Sequence, residues 1–491
     1  MSEHAPTHPS KAGLGGVFAR ARRHSGALVI AAAATGVAIL AGGALVAGAA
    51  VGASGDSSAA LSDGSPSQVA GPTVSPTPTS TPTPTATPAA RPLPASVLAA
   101  QPVRTCSIAE AASDGRLGTF QGSVRNATTG EILYDHGGGT YSRTASVMKV
   151  LTSAAALAVL GPDYRVTTKV VAGSTPGQVV LVGGGDITLS SGSSNIYPGS
   201  ASMTDLASQV ASSLGGAAVT SIVLDSSAFG GDAWQASWNR KELFDGWSSE
   251  VTALQVDGDR ADPSSSQSAR SEDPIGRAGA AFASALGAGG AAISQGAAPA
   301  GAAVLGQVQS APVSTMVQDA LLRSDNTEAE MLARLTAIAQ GSGNTFGALA
   351  ASTPAALATY GLDTTGLVIV DGSGLSDDNG VSPNFLSALF AKIAAREGNL
   401  GVIADGLPVA GESGTLAGRF TGSNSDAAGR VIAKTGWIDT GYTLSGIINA
   451  ADGTILTFAF FALDNVSDSS KQALDTITAA AYRCGNNLSN L

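Results

Sequence analysis

Thr144-Ala145-Ser146-Val147-Met148-Lys149-Val150 opens an apolar run over 147–160, and the reading of this stretch decides how the rest of the chain is understood. The spacing predicts a helix that begins near Ser146 and is stopped by Gly161-Pro162. On such a helix Lys149 lies one turn beyond Ser146 on the same face, so a hydroxyl and an amine can share a proton. The helix N-terminus adds a partial positive field and free backbone N–H groups, a setting suited to a hydroxyl that becomes an alkoxide. The same residues also fit a core helix capped by Ser146 with Lys149 in solvent. Ser-x-x-Lys alone does not separate the two readings.

What the chain lacks narrows the chemistry. Its histidines are His4, His8, His24 and His136, three of them ahead of the long apolar segment described below. One remaining histidine cannot serve as a triad base and also build a metal site. Cys106 and Cys484 are the only cysteines, so zinc-thiolate and cysteine-nucleophile chemistry have little material unless one is unpaired. Lysine is left as the base for any nucleophilic catalysis, and neither a metal nor an organic cofactor is implied.

At 491 residues and 44% hydrophobic, the chain can bury a large core and suggests two or three domains. Formal net charge is -11. Lys11, Arg20, Arg22 and Arg23 face only Glu3 in residues 1–25, so the remainder carries about -14. That excludes a binder of nucleic-acid phosphates.

Residues 26–53 contain no charge and only Thr35 as a polar side chain, after Arg20-Ala21-Arg22-Arg23. The stretch exceeds the roughly 20 residues that cross a bilayer, and the basic 1–25 tail should stay in the cytoplasm. The expectation is a single-pass anchor in the cell membrane with the rest of the chain exported. A cleaved signal peptide ending near Ala47-Gly48-Ala49 is the competing reading, for which the apolar run is long. Residues 54–100, with Pro76-Thr77-Pro78 and Thr81-Pro82-Thr83-Pro84-Thr85, cannot bury a core and read as an extended stalk.

Beyond residue 101 the composition turns globular. Strands are expected over 120–125 and 131–135, and again over 429–435, 442–448 and 455–463, with a helix over 469–482. Helical runs over 327–340 and 383–396 fill part of the middle. An antiparallel sheet built from both ends of the globular region, with helices packed on it, is the simplest arrangement. Cys106 and Cys484 lie at those two ends, and export favours a disulfide between them over two buried thiols.

Lys434-Thr435-Gly436, at the end of a strand over 429–433, occurs once in the chain. A Ser-x-Asn turn is its expected companion, and that pattern begins at Ser193, Ser237, Ser324, Ser342 and Ser382. Context selects Ser324-Asp325-Asn326, which sits at a break before an amphipathic helical run. With these three motifs the chain resembles the class C low-molecular-mass penicillin-binding proteins, the D-alanyl-D-alanine carboxypeptidase and endopeptidase group known as peptidase family S13. The resemblance covers roughly residues 115–485. Gly183-Gly184-Gly185-Asp186, Asp225-Ser226-Ser227-Ala228-Phe229-Gly230, Asp371-Gly372-Ser373-Gly374-Leu375 and Leu407-Pro408-Val409-Ala410-Gly411 add to it in family order.

The resemblance implies an α/β (α+β) penicillin-recognising fold of the serine transpeptidase and beta-lactamase type. Its catalytic domain would comprise 101–164 plus 312–491, with inserted domain material over 165–311. A class A beta-lactamase needs a shorter gap between the first two motifs and a deacylating Glu loop, which makes it the weaker reading. The substrates implied are peptidoglycan stem peptides, and the inhibitors beta-lactams. Ser146 would be the nucleophile and Lys149 its base, with the Lys149 pKa lowered by its environment and a nearby Lys434 ammonium helping through like-charge repulsion in a partly dry cleft. Ser324 would relay a proton, Asn326 would hold the substrate amide or the Lys149 amine, Lys434 and Thr435 would meet the terminal carboxylate, and Gly436 would belong to the substrate-binding strand. The backbone N–H groups of Ser146 and Trp437 would form the oxyanion hole. Trp437 departs from the family pattern, in which Thr or Ser follows Lys-Thr-Gly; Thr440 or Thr443 could supply the missing hydroxyl. A non-catalytic wall-binding scaffold is the competing class, disfavoured because packing does not require Ser146, Lys149, Ser324, Asn326 and Lys434 together.

Overall fold

The computed structural model describes residues 103–490 apart from residue 193. The expected cytoplasmic tail, membrane span and stalk over 1–100 lie outside these residues. Among the described residues no helix is long and apolar enough to cross a membrane.

Among the described residues ten strands form two sheets: β1 (Thr119–Asn126), β2 (Ile132–His136), β3 (Thr167–Ala172), β4 (Gln178–Val182), β5 (Ser221–Asp225), β6 (Ala292–Gln295), β7 (Val304–Gln309), β8 (Val431–Ile438), β9 (Gly441–Asn449) and β10 (Ile455–Leu463). The first sheet runs β2-β1-β10-β9-β8, antiparallel throughout. β10 is its centre, pairing Thr119 with Leu463 and Asn126 with Leu456 on one side and with β9 on the other. Its sequence ILTFAFFAL is almost wholly apolar because both faces of the sheet are covered. Leu456, Phe458, Phe460 and Ala462 pack with Leu474 and Ile477 of the helix Ser470–Cys484. The alternate residues Ala459, Phe461 and Leu463 join the core that holds Leu386 and Phe390 of the helix Pro383–Ala394 and Leu151 of the helix Met148–Val159. Each such side chain contributes about 1.5 to 3 kcal/mol by leaving water.

The second sheet runs β6-β5-β4-β3-β7, with β4, β5 and β6 parallel and β3 antiparallel to both its neighbours. Helices Met203–Leu214 and Pro274–Ala285 cover it through Leu206, Val210, Ala278 and Phe282, packed on Val170, Leu181 and Leu224. Residues 167–309 therefore carry a sheet and a core of their own.

Three local expectations change. The Lys434 motif lies inside β8 rather than at its end, because Trp437 and Ile438 keep their pairing with Tyr442 and Gly441. Ser146 lies on a 3-10 turn, Ala145–Val147, and the α-helix starts at Met148, since Ala145 has a left-handed φ of 46° that no α-helix accepts. The helix Asn326–Ala339 is buried almost all round instead of amphipathic, because the helices Met148–Val159, Val313–Arg323 and Leu349–Ala358 pack against it and the Ile187 N–H donates to Met331. Cys106 and Cys484 form a disulfide that ties the segment before β1 to the end of the last long helix.

Candidate active site

The turn that carries Ser146 is pressed against the sheet. Thr443 Oγ1, from β9, donates to the Thr144 carbonyl at 2.7 Å. On β8, a Cβ added at Gly436 would stand 2.1 Å from Thr443 Oγ1 and 2.9 Å from the Ala145 Cβ, so only glycine lets strand and turn approach this closely. Sequence thus places the second lysine motif within reach of the first.

Lys149 is fully buried. Its Nζ donates to Ser146 Oγ at 2.8 Å, to Asn326 Oδ1 at 2.6 Å and to the Ser373 carbonyl at 2.8 Å. Burial brings its pKa down to about 8, against the opposing pull of Asp371, Glu330 and Asp325. The environment thus lowers the Lys149 pKa as expected, and the mutual repulsion with Lys434 shows on Lys434. Behind this contact Glu330 accepts the Gly372 and Ser373 N–H groups at 3.0 and 2.7 Å and so aims the Ser373 carbonyl at Lys149. Burial, with Asp371 nearby, pushes the Glu330 carboxyl up to about 7. Asp371 in turn accepts from the Gly374 and Ser376 N–H groups, the Asn379 amide and the Trp238 indole.

Lys434 is likewise buried, and donates to Ser324 Oγ and to the Thr435 carbonyl, both at 2.9 Å. Burial and the nearby Lys149 hold its pKa well below the ordinary lysine value. Ser324 takes a left-handed φ of 62°, and Asp325 caps the next helix by accepting the Glu328 N–H at 3.0 Å. The site thus holds two amine–hydroxyl pairs, Lys149 with Ser146 and Lys434 with Ser324, with Asn326 on Lys149.

These groups open into a cleft of about 710 Å³ lined by Ser146, Ser324, Asn326, Thr435 and Gly436. Its rim brings Trp247 and Trp437 together edge to face, ring centres 6.4 Å apart and side chains 42% and 47% exposed. Trp437 therefore faces the cleft and not the core. Thr440 and Thr443 do not supply the hydroxyl that Trp437 lacks: Thr440 donates to Asp377, and Thr443 is spent on Thr144. Thr415, missed in the sequence, shares a 2.7 Å hydrogen bond with Thr435 and lines the cleft. Trp247 was missed as well; its carbonyl accepts the Asn326 amide at 3.1 Å. Among the described residues no cluster of three or more His, Cys, Asp or Glu side chains is arranged to hold a metal ion.

In this arrangement a neutral Lys149 amine can take the Ser146 hydroxyl proton and become the ammonium as the oxygen turns nucleophilic, and a second ionisable amine, Lys434, can receive an anion. A family model described as the D-Ala-D-Ala carboxypeptidase 3 (S13) family matches residues 105–269 and 260–482. The chain belongs to this family of D-Ala-D-Ala carboxypeptidases. It is 36% identical over 387 residues to the carboxypeptidase DacB of Mycolicibacterium smegmatis, covering 77% of this chain and 84% of that one. The carboxypeptidase Rv3627c of Mycobacterium tuberculosis is 35% identical over 389 residues, with 78% and 84% covered. In fold, this S13 chain is similar to the crystal structure of penicillin binding protein 4 (dacB) from Haemophilus influenzae. The TM-score is 0.61 at 20% identity, over 76% of this chain and 96% of that one.

Proposed function

We propose that this S13 chain hydrolyses D-alanyl-D-alanine ends of peptidoglycan stem peptides, as carboxypeptidase and endopeptidase, through an ester on Ser146. The observation that carries the reading is the contact of a fully buried, partly neutral Lys149 with Ser146 Oγ at 2.8 Å. Lys149 takes the hydroxyl proton as Ser146 Oγ attacks the carbonyl between the two D-alanines. The oxygen of the tetrahedral intermediate is met by the backbone N–H groups of Ser146 and Trp437. Ser324, hydrogen-bonded to Lys434, relays a proton to the departing amine, and terminal D-alanine leaves. Water then hydrolyses the ester, with Lys149 again as base.

The terminal carboxylate is assigned to Lys434, Thr435 and Thr415. A carboxylate beside Lys434 would favour the ammonium that burial disfavours, so binding charges the site that recognises it. A beta-lactam presents the same carboxylate and a strained amide, and would stop at the ester. A non-catalytic scaffold on this fold explains neither buried lysine, since each costs desolvation that packing does not require. For the N-terminal residues we propose a membrane anchor over 26–53, with the catalytic part outside the cytoplasm. Support comes from the basic flank and from a disulfide suited to an oxidising compartment.

A fluorescent penicillin tests the reading. The protein should be labelled covalently, Ser146→Ala should abolish labelling, and label that survives Ser146→Ala would defeat the assignment.

A further inference from the structure

Asp257, Gly258 and Asp259 are three consecutive residues with left-handed φ of 54°, 57° and 57°, a conformation L residues avoid, and they lead directly into Arg260. The turn is held from several sides. Asn195 donates to Asp257 at 2.9 Å, and the Ser271 N–H and Arg277 each donate to Asp259 at 2.7 Å. A Cβ at position 258 would lie 2.2 Å from Tyr197 Oη and 2.5 Å from Arg260 Nη1. Backbone strain of this kind persists where the surroundings over-determine it, and here its product is the placement of one guanidinium.

Arg260 and Asp325 form an ion pair with both side chains only 2% exposed, Nη2 to Oδ2 at 2.5 Å. Tyr197 Oη accepts from Arg260 Nη1 and donates to the same Asp325 oxygen at 3.2 Å. Asp325 stands between Ser324, which accepts from Lys434, and Asn326, which accepts from Lys149. Without Arg260 the buried carboxylate would keep the charge of Arg270 but no ion-pair partner, so it would take up a proton or draw in water, and Ser324 would be free to leave its left-handed conformation. A second link from the same region acts in parallel, since the Trp247 carbonyl orients the Asn326 amide.

We propose that Arg260 is a positioning residue for acyl transfer: the region of the second sheet, through this arginine, fixes Ser324 Oγ on Lys434 and Asn326 Oδ1 on Lys149. The inference rests on Ser146 and Lys149 being the acylating pair, and it gives residues 165–311 a part in that reaction.

The test uses the full chain and its variants Arg260→Gln, Arg260→Lys and Tyr197→Phe. Two quantities are measured: the acylation rate constant per titratable site with a fluorescent penicillin, and kcat and KM for a peptide ending in D-alanyl-D-alanine. Arg260→Gln should lower the per-site acylation rate and kcat at least thirtyfold with KM within threefold. Arg260→Lys, which keeps a cation, should fall less than tenfold, and Tyr197→Phe three- to tenfold. A purely structural role would instead lower the thermal midpoint and the number of titratable sites while leaving the rate per site unchanged. A per-site rate within threefold of native in Arg260→Gln, or a loss carried by KM alone, overturns the proposal. Should that variant not fold, Arg260→Lys and Tyr197→Phe decide, and native per-site rates in both overturn it. Labelling that persists in Ser146→Ala would strike the acylation reading itself, so the two failures are distinct.

Discussion

Asn326→Asp exchanges an amide for a carboxylate at nearly constant shape, 2.6 Å from the Lys149 amine. The charged groups already facing Lys149 are Asp371, Glu330 and Asp325, which pull its pKa up, while burial, the larger effect, brings it to about 8; Lys434 faces it from β8. A new anion at this range favours the ammonium by about 1 to 3 pKa units, so Lys149 should move to about 10. The base is the neutral amine, so acylation rises as pH rises through the Lys149 pKa. At pH 7 the neutral fraction falls from about one in ten to about one in a thousand, a loss of roughly 100-fold or about 2.7 kcal/mol. At pH 9 the loss shrinks to about tenfold. Stopped-flow acylation by a fluorescent penicillin from pH 6 to 9.5 reads the position of this limb. Asn326→Ala is the control, since it removes the contact without adding charge. It should lower the rate at every pH and leave the limb near 8. An Asn326→Asp profile parallel to that of Asn326→Ala would refute the argument that Lys149 is the titrating base.

Trp437→Ala should leave beta-lactam acylation within about tenfold of native yet weaken peptide turnover further, a differential above roughly 1.4 kcal/mol, and equal losses would show that the indole recognises nothing. Gly436→Ala places a Cβ 2.1 Å from Thr443 Oγ1, which must push β8 off the Ser146 turn; acylation should drop roughly 100-fold while the thermal midpoint moves little. Cys484→Ser should cost about 2 to 4 kcal/mol in denaturant unfolding, with the acylation rate per titrated site close to native.

The parts of the site that were legible in the sequence are those where chemistry dictates residue type. A nucleophile needs a base one turn away, and an anion needs a cation on an open strand, so Ser146, Lys149 and Lys434 announce themselves. Ser324 was separable from four rival Ser-x-Asn patterns only by the helix behind it. The rivals have local uses: Ser382 caps the helix Pro383–Ala394, and Ser237 hydrogen-bonds Ser376. The sheet made from both ends of the region was legible through the apolar strand over 455–463. Trp247, Arg260, Thr415 and Glu330 were not, because each meets the site through tertiary contacts that leave no spacing signal. That the surroundings must lower the Lys149 pKa was legible, but that burial dominates was not, because burial is a property of the packed molecule while a like charge is visible in a motif. Ala145 was missed because nothing in an alanine marks a left-handed backbone.

The pairing of β1 with β10 has a consequence for biosynthesis. Lys434 follows Lys149 by about 285 residues, so at roughly 5 to 20 residues per second the nucleophile waits on the order of 15 to 60 s for the second cation. Throughout that interval the central strand of the first sheet has not been made, and β1 has no partner on its inner side. The region of residues 167–309, whose strands pair among themselves, can settle first and hold Arg260 ready. A nascent chain therefore carries the serine without the ability to use it, and reactivity toward amides switches on only when the last strand slots into place.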